Sequence, residues 1–212
     1  MNKKTDQALQ QARTALTEEF AGVFARQTVE RCVDDSYERL LPATIQAFLP
    51  LLAQRFARER LQAAARNLPA AAGADRRPLV LFVCTGNSGR SQMAAALLRN
   101  RSQGAVEVAS AGTQPREQVL PHVLTALTEL GVETGDLYPK PLTDEVVSGA
   151  DVVVTMGCGD SCPVLPGRRY LDWDVADPAD ADLPDVRTIR DDVARHVSDL
   201  LADLGLASPA AR

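Results

Sequence analysis

The chain has 212 residues, 45% hydrophobic and 24% charged, the balance of an ordinary globular protein of one large domain or two small ones. That balance excludes disorder, collagen and coiled-coil repeats, and aromatics at 4% leave the core to Leu, Val and Ala. The net charge of −5 is uneven: residues 1–77 hold 12 basic and 9 acidic side chains, residues 78–212 hold 11 and 19, so neither half is basic enough to take nucleic acid as a partner.

No apolar run approaches the ~18 residues of a membrane span. Met1–Asp6 opens no hydrophobic signal, which predicts a cytoplasmic protein without a membrane partner. Four cysteines in that compartment are expected to be reactive or metal-binding rather than structural staples.

Residues 1–67 read as a bundle of three helices. Leu9, Ala12, Leu16 and Phe20 recur at helical spacing, as do Val29, Cys32 or Val33, Tyr37 and Leu40. Leu52, Phe56, Leu61, Ala64 and Leu68 form a third stripe, starting at Pro50, which suits a first helical position. Residues 68–78 lack either period, contain Pro and Gly, and read as a linker. Residues 79–212 alternate strand and helix. Leu79–Val83 is a continuous apolar run, as in a parallel strand buried on both faces. A helix through Met93, Leu97 and Leu98 follows, then a strand at 106–108 and a helix over 117–130. Thr143 opens a short helix before a strand at 151–156, and Val186, Ile189, Val193, Val197, Leu200 and Leu204 share one face of a last helix. This βαβ series predicts a doubly wound parallel sheet that binds its ligand beyond the carboxyl ends of the strands.

One loop carries the chemistry. Cys84-Thr85-Gly86-Asn87-Ser88-Gly89-Arg90-Ser91, between the first strand and its helix, has Cys and Arg in a C-x5-R pattern. Such a loop can curl its backbone N–H groups inward as a nest for an oxyanion, and the helix behind adds its positive end. Arg90 supplies a bidentate clamp for a tetrahedral oxyanion. Cys84 sits in the same field, which favours a thiolate, and Ser91 can donate a hydrogen bond to it. No Gly-Lys-Ser/Thr follows, so a nucleotide-binding Walker loop is excluded. Cys158 and Cys162 begin where the strand at 151–156 ends, so the sheet brings Cys158 to the same edge as Cys84.

Residues 79–205 resemble the low-molecular-weight tyrosine phosphatase family, and the loop followed by Gln92-Met93-Ala94 resembles its arsenate reductase branch. The resemblance implies a four-stranded sheet, and it makes Asp177, in Asp177-Pro178-Ala179, the acid that protonates the leaving oxygen. Ala179 stands where the phosphatases carry an aromatic ring for a phenolic substrate, which favours a small inorganic one. By resemblance, the Cys84 thiolate attacks arsenate, with phosphate or sulfate as competing oxyanions. Cys158 then attacks Cys84 and releases arsenite. Cys162 moves the disulfide to Cys158–Cys162, where thioredoxin or a related dithiol protein reduces it. Electrons come from NADPH through thioredoxin reductase, and no cofactor is bound. Gly157 and Gly159 give the segment freedom to shuttle.

Against this stand simpler readings. Cys158 and Cys162 are half of a zinc site, but Cys32, His122 and His196 have no matching spacing, so no metal is expected. Cys32 on its apolar stripe reads as a buried, inert thiol, and the two histidines as ordinary surface residues. Ala95 replaces a glutamate that helps relatives hold potassium, so no cation site is expected. The C-x3-C spacing is shorter than in many thioredoxin-coupled relatives. The bundle resembles the triple-helical extension of some actinobacterial-type reductases. Two other function classes remain open: a phosphatase acting on phosphotyrosine or small phosphate esters, and a redox-sensing interaction module.

Overall fold

The computed structural model describes residues 3–42, 48–69, 76–158 and 162–206. In chain order the elements are α1 (Lys3–Glu19), α2 (Arg26–Leu40), α3 (Leu49–Ala65), β1 (Leu79–Cys84), α4 (Arg90–Ser102), β2 (Glu107–Gly112), α5 (Pro121–Thr128), α6 (Asp144–Gly149), β3 (Val152–Met156), β4 (Arg169–Asp172) and α7 (Leu183–Asp203). They form two compact units that are not contiguous in sequence: residues 143–149, expected within the second domain, belong with the N-terminal helices. No helix among the described residues is long and apolar enough to cross a membrane.

In the helical unit, Leu9, Ala12 and Leu16 of α1 and Val29, Val33 and Leu40 of α2 are buried as their spacing requires. The buried arc of α3 is wider than the stripe read from the sequence. Leu49, Ala53, Phe56, Ala57, Arg60 and Leu61 are covered because α3 meets α1, α2 and α6. Arg60, only 5% exposed, reaches Asp35 at 2.6 Å, Ser36 at 2.9 Å and Glu145 at 2.8 Å. Gly149 ends α6 against α3 so closely that a Cβ there would stand 2.5 Å from the Ala63 carbonyl oxygen. Cys32 is half-buried rather than buried. It lines an open cleft with Arg60, Asp35 and Glu145, and burial raises its thiol pKa.

The second unit is a parallel sheet in the order β2-β1-β3-β4. All six residues of central β1 are buried, which explains its unbroken apolar run. Helices α4, α5 and α7 pack together on the face formed by Val80, Phe82, Val152, Val154 and Met156. The Trp173 ring lies 5.5 Å from Phe82 and stacks on His196 at 4.9 Å, so His196 is packed rather than an ordinary surface residue. Asp182 caps α7 by accepting from Asp185 N at 3.0 Å, and Pro184 occupies its first turn. In register, Cys84 pairs with Gly112 on one side and Met156 on the other. The chain leaves β1 for β2 on one flank and later returns to β3 on the other, and ligands bind at such a switch point.

Candidate active site

Five residues, Thr85–Gly89, connect Cys84 to α4. Four carbonyls from Cys84 to Ser88 are occupied by the segment after β2. Thr113 N donates to Cys84 O at 3.2 Å, Gln114 N to Thr85 O at 2.8 Å, Arg116 N to Gly86 O at 2.9 Å and Leu120 N to Ser88 O at 3.0 Å. The Asn87 carbonyl accepts from Gln92 Nε2 at 3.0 Å. In a trans peptide the N–H points opposite to the carbonyl, so holding these carbonyls outward turns N–H groups of Thr85, Gly86, Ser88 and Gly89, which line the cavity, inward. Gly112 permits the close approach, since a Cβ there would stand 2.8 Å from Thr85 O. The resulting cavity, about 370 Å³, is lined by Cys84, Thr85, Gly86, Ser88, Gly89, Arg90, Gln114, Arg116 and Asp177.

Asn87 and Ser91, expected in the cradle, are fully buried and absent from the cavity lining. Asn87 adopts φ 44°, a left-handed conformation that asparagine tolerates. Its Oδ1 accepts from Lys140 N at 3.0 Å, and a backbone N–H can only donate, so its Nδ2 faces Ser91 Oγ at 2.8 Å. With that lone pair occupied, the Ser91 proton is left for Cys84 Sγ, 2.9 Å away. Gln92 Nε2, bonded also to Tyr138 O at 2.8 Å, closes the network.

Arg90 Nη2 contacts Asp177 Oδ2 at 2.7 Å, and Asp177 Oδ1 accepts from Ala179 N at 3.0 Å. The Asp177 loop is seated by Pro178. A Cβ on Gly89 would meet Pro178 Cγ at 2.5 Å, and His122 Nε2 donates to Pro178 O at 2.9 Å. His122 is therefore not an ordinary surface residue. Sequence reasoning missed it, the 113–120 buttress and Arg116, because each acts on a segment far away in the chain.

Thr85 Oγ1 donates to Gly157 O at 3.0 Å, tying the cradle to the segment that carries Cys158. Gly157 has φ 68°, and a Cβ there would lie 2.5 Å from Arg90 Nη1, so this glycine makes room for the guanidinium. Gly159 lies outside the described residues. Cys84, Cys158 and Cys162 are all free thiols, Cys84 and Cys158 buried and Cys162 half-buried. The neighbouring Cys162 thiol lowers the Cys158 pKa to about 7 against the opposing effect of burial. The same neighbour interaction, with burial, raises the pKa of Cys162. The two thiols thus titrate as an interacting pair.

A cysteine beneath a ring of inward N–H groups, with an arginine at the helix start and an aspartate opposite, is the arrangement of an oxyanion-handling phosphatase fold. Residues 79–208 match the low molecular weight phosphotyrosine protein phosphatase family, and residues 9–65 match the protein-tyrosine-phosphatase-like N-terminal domain. The chain belongs to the low molecular weight phosphotyrosine protein phosphatase family. Within that class it is similar to a thioredoxin-dependent arsenate reductase of Corynebacterium glutamicum. That structure is 39% identical with a TM-score of 0.84, and the match covers 94% of this chain and 98% of that one. An arsenate reductase of Brevibacillus brevis is 31% identical over 58% of this chain and 93% of its own length. An arginine phosphatase from Geobacillus stearothermophilus is 29% identical, TM-score 0.53, over 60% of this chain and 93% of that one.

Proposed function

We propose that this protein is a thioredoxin-dependent arsenate reductase whose redox relay runs Cys84, Cys158, Cys162. The observation that carries the reading is the register that pairs Cys84 with Met156, which puts the free thiols of Cys158 and Cys162 on the segment leaving β3 at the same sheet edge. Ester hydrolysis needs no such pair. The likeness to the Corynebacterium enzyme, which spans both units, supports the same assignment.

Arsenate enters the cradle of residues 85–91, where Arg90 and the inward N–H groups hold its oxygens. The Cys84 thiolate forms an S–As bond, and Asp177 protonates the departing hydroxyl as water. Cys158 attacks Cys84 sulfur. The S–As bonding pair stays on arsenic, which leaves as arsenite, and a Cys84–Cys158 disulfide remains. Consuming the Cys158 thiolate removes the partner that raises the Cys162 pKa. Cys162 then attacks Cys158, and Cys84 departs as the thiolate. Thioredoxin dithiol reduces Cys158–Cys162, with NADPH as the distant donor. The sum is arsenate plus dithiol to arsenite, disulfide and water. Catalysis is assigned to residues 79–212, joined through 68–78 to the bundle of 1–67, with the reaction in the cytoplasm and no bound cofactor.

The test is an NADPH-coupled assay with thioredoxin, its reductase and arsenate. The parent chain should form arsenite, Cys84→Ser none. Cys158→Ser should stop with Cys84 modified, and Cys162→Ser should complete at most one turnover with Cys84–Cys158 trapped. Aryl-phosphate hydrolysis that survives loss of Cys158 and Cys162, with no arsenite formed, would establish a phosphatase instead. A reversible disulfide without turnover on any oxyanion would establish a redox sensor.

A further inference from the structure

We propose that Arg116 is a second anion-recognition residue at the mouth of the cradle, setting how tightly the cavity takes a tetrahedral oxyanion. This deepens the reductase reading but rests only on the part of it that makes the cavity an oxyanion site.

Two arginines line that cavity. Arg90 is already engaged, its Nη2 2.7 Å from the Asp177 carboxylate, so the pair adds little net charge. Arg116 makes no side-chain hydrogen bond or ion pair among the described residues. Its cation is what gives the charged side chains around the cavity a positive balance, although the unit as a whole is acidic.

The placement is built rather than incidental. Arg116 N donates to Gly86 O at 2.9 Å, which locks its backbone to the cradle. Its stem lies over Gly86: a Cβ on that glycine would meet Arg116 Cγ at 3.2 Å and Cδ at 3.4 Å. The glycine thus leaves space for the arginine stem, and the stem brings the guanidinium to the opening. A planar fork there can share the outer oxygens of an anion whose inner oxygens face the N–H ring. Being exposed, it also draws anions in, an effect that salt screens. In this proposal Arg116 contributes to binding, and Cys84 and Asp177 carry the chemical step.

The direct test is calorimetric titration of inorganic phosphate into the full-length Cys84→Ser protein, with and without Arg116→Met or Arg116→Lys. Methionine keeps the apolar stem, so packing on Gly86 survives. Arg116→Met should weaken phosphate binding about tenfold at low salt. The gap should narrow at 0.5 M salt, and Arg116→Lys should fall between. In turnover, KM for arsenate should rise in proportion with kcat within about twofold. Phosphate affinity within twofold of the parent at low salt would overturn the proposal, as would a loss in kcat without a change in KM. If Arg116→Met weakens phosphate binding while the parent makes no arsenite, the Arg116 assignment stands and the reductase reading falls.

Discussion

In the proposed relay, the coupling between two thiols four residues apart favours Cys158 as the first of the pair to attack. With Cys162 beside it, Cys158 has a pKa lowered to about 7. Below that pH it is mostly protonated and a poor nucleophile, and above it the thiolate dominates. The Cys84–Cys158 disulfide should therefore form faster as pH rises from 6 to 8, with a midpoint near 7. Replacing Cys162 with alanine removes the largest cause of the lowered value, so the midpoint should move up toward the ordinary thiol range. Single-turnover quenching with mass spectrometry reads both, and a midpoint that stays near 7 in Cys162→Ala would remove the Cys162 thiol as its cause. Cys84, Arg90 and the glycines of the loop were legible in the sequence because their pattern is local. The Ser91 hydrogen bond to Cys84 was legible too and stands at 2.9 Å, but the role of Asn87 behind the cradle was not, since Asn87 is oriented by Lys140 N, 53 positions away. His122 and Arg116 were hidden for the same reason.

Among the elements, legibility followed burial. β1 and β3 are continuous apolar runs and announced themselves. β2 was read as 106–108 but extends through Gly112, because Ala109, Ala111 and Gly112 have little strand preference of their own and are held by pairing with β1. The predicted helix at 117–130 shortens to Pro121–Thr128, with Leu120 N drawn to Ser88 O. β4 was not seen in the residue pattern, since Arg169-Tyr170-Leu171-Asp172 is a four-residue edge strand with partly exposed side chains. That edge strand still touches the segment that carries the proposed relay. Tyr170 Oη accepts from Leu165 N at 2.8 Å and donates to Pro163 O at 3.0 Å, which anchors the chain just after Cys162 and leaves Val164 77% exposed beside it. Tyr170→Phe removes both bonds and keeps the ring. It should slow Cys158–Cys162 disulfide formation by about two- to tenfold while leaving alkylation of Cys84 unchanged. Rapid-quench disulfide mapping measures the first and iodoacetamide kinetics the second; equal slowing of both would point to general disorder of the fold.

At the scale of the whole molecule, the sequence reads as a bundle over 1–67, a linker over 68–78 and a catalytic domain over 79–212, while the compact units group residues 143–149 with the N-terminal helices. Every residue of the proposed chemistry lies between 79 and 208, yet α6, inside that range, is part of the helical unit. Val146 and Val147 are 2% and 1% exposed, Glu145 pairs with Arg60, and the Gly149 carbonyl accepts from Arg66 Nε at 2.9 Å. A chain beginning at residue 76 keeps the cradle but removes α3. It strips those partners from α6 and bares two valines whose burial stabilises by about 1.5 kcal/mol or more each. Such a chain should melt at least about 6 °C lower than full length, at roughly 2–4 °C per kcal/mol, and should self-associate through the uncovered face. Gly149→Ala in the full chain is the milder version of the same test, because its methyl group would press on the Ala63 backbone and cost about 1–3 kcal/mol. Calorimetry and size-exclusion chromatography read both. A monodisperse 76–212 fragment with the parental melting temperature would show that α6 is stable without its helical partners.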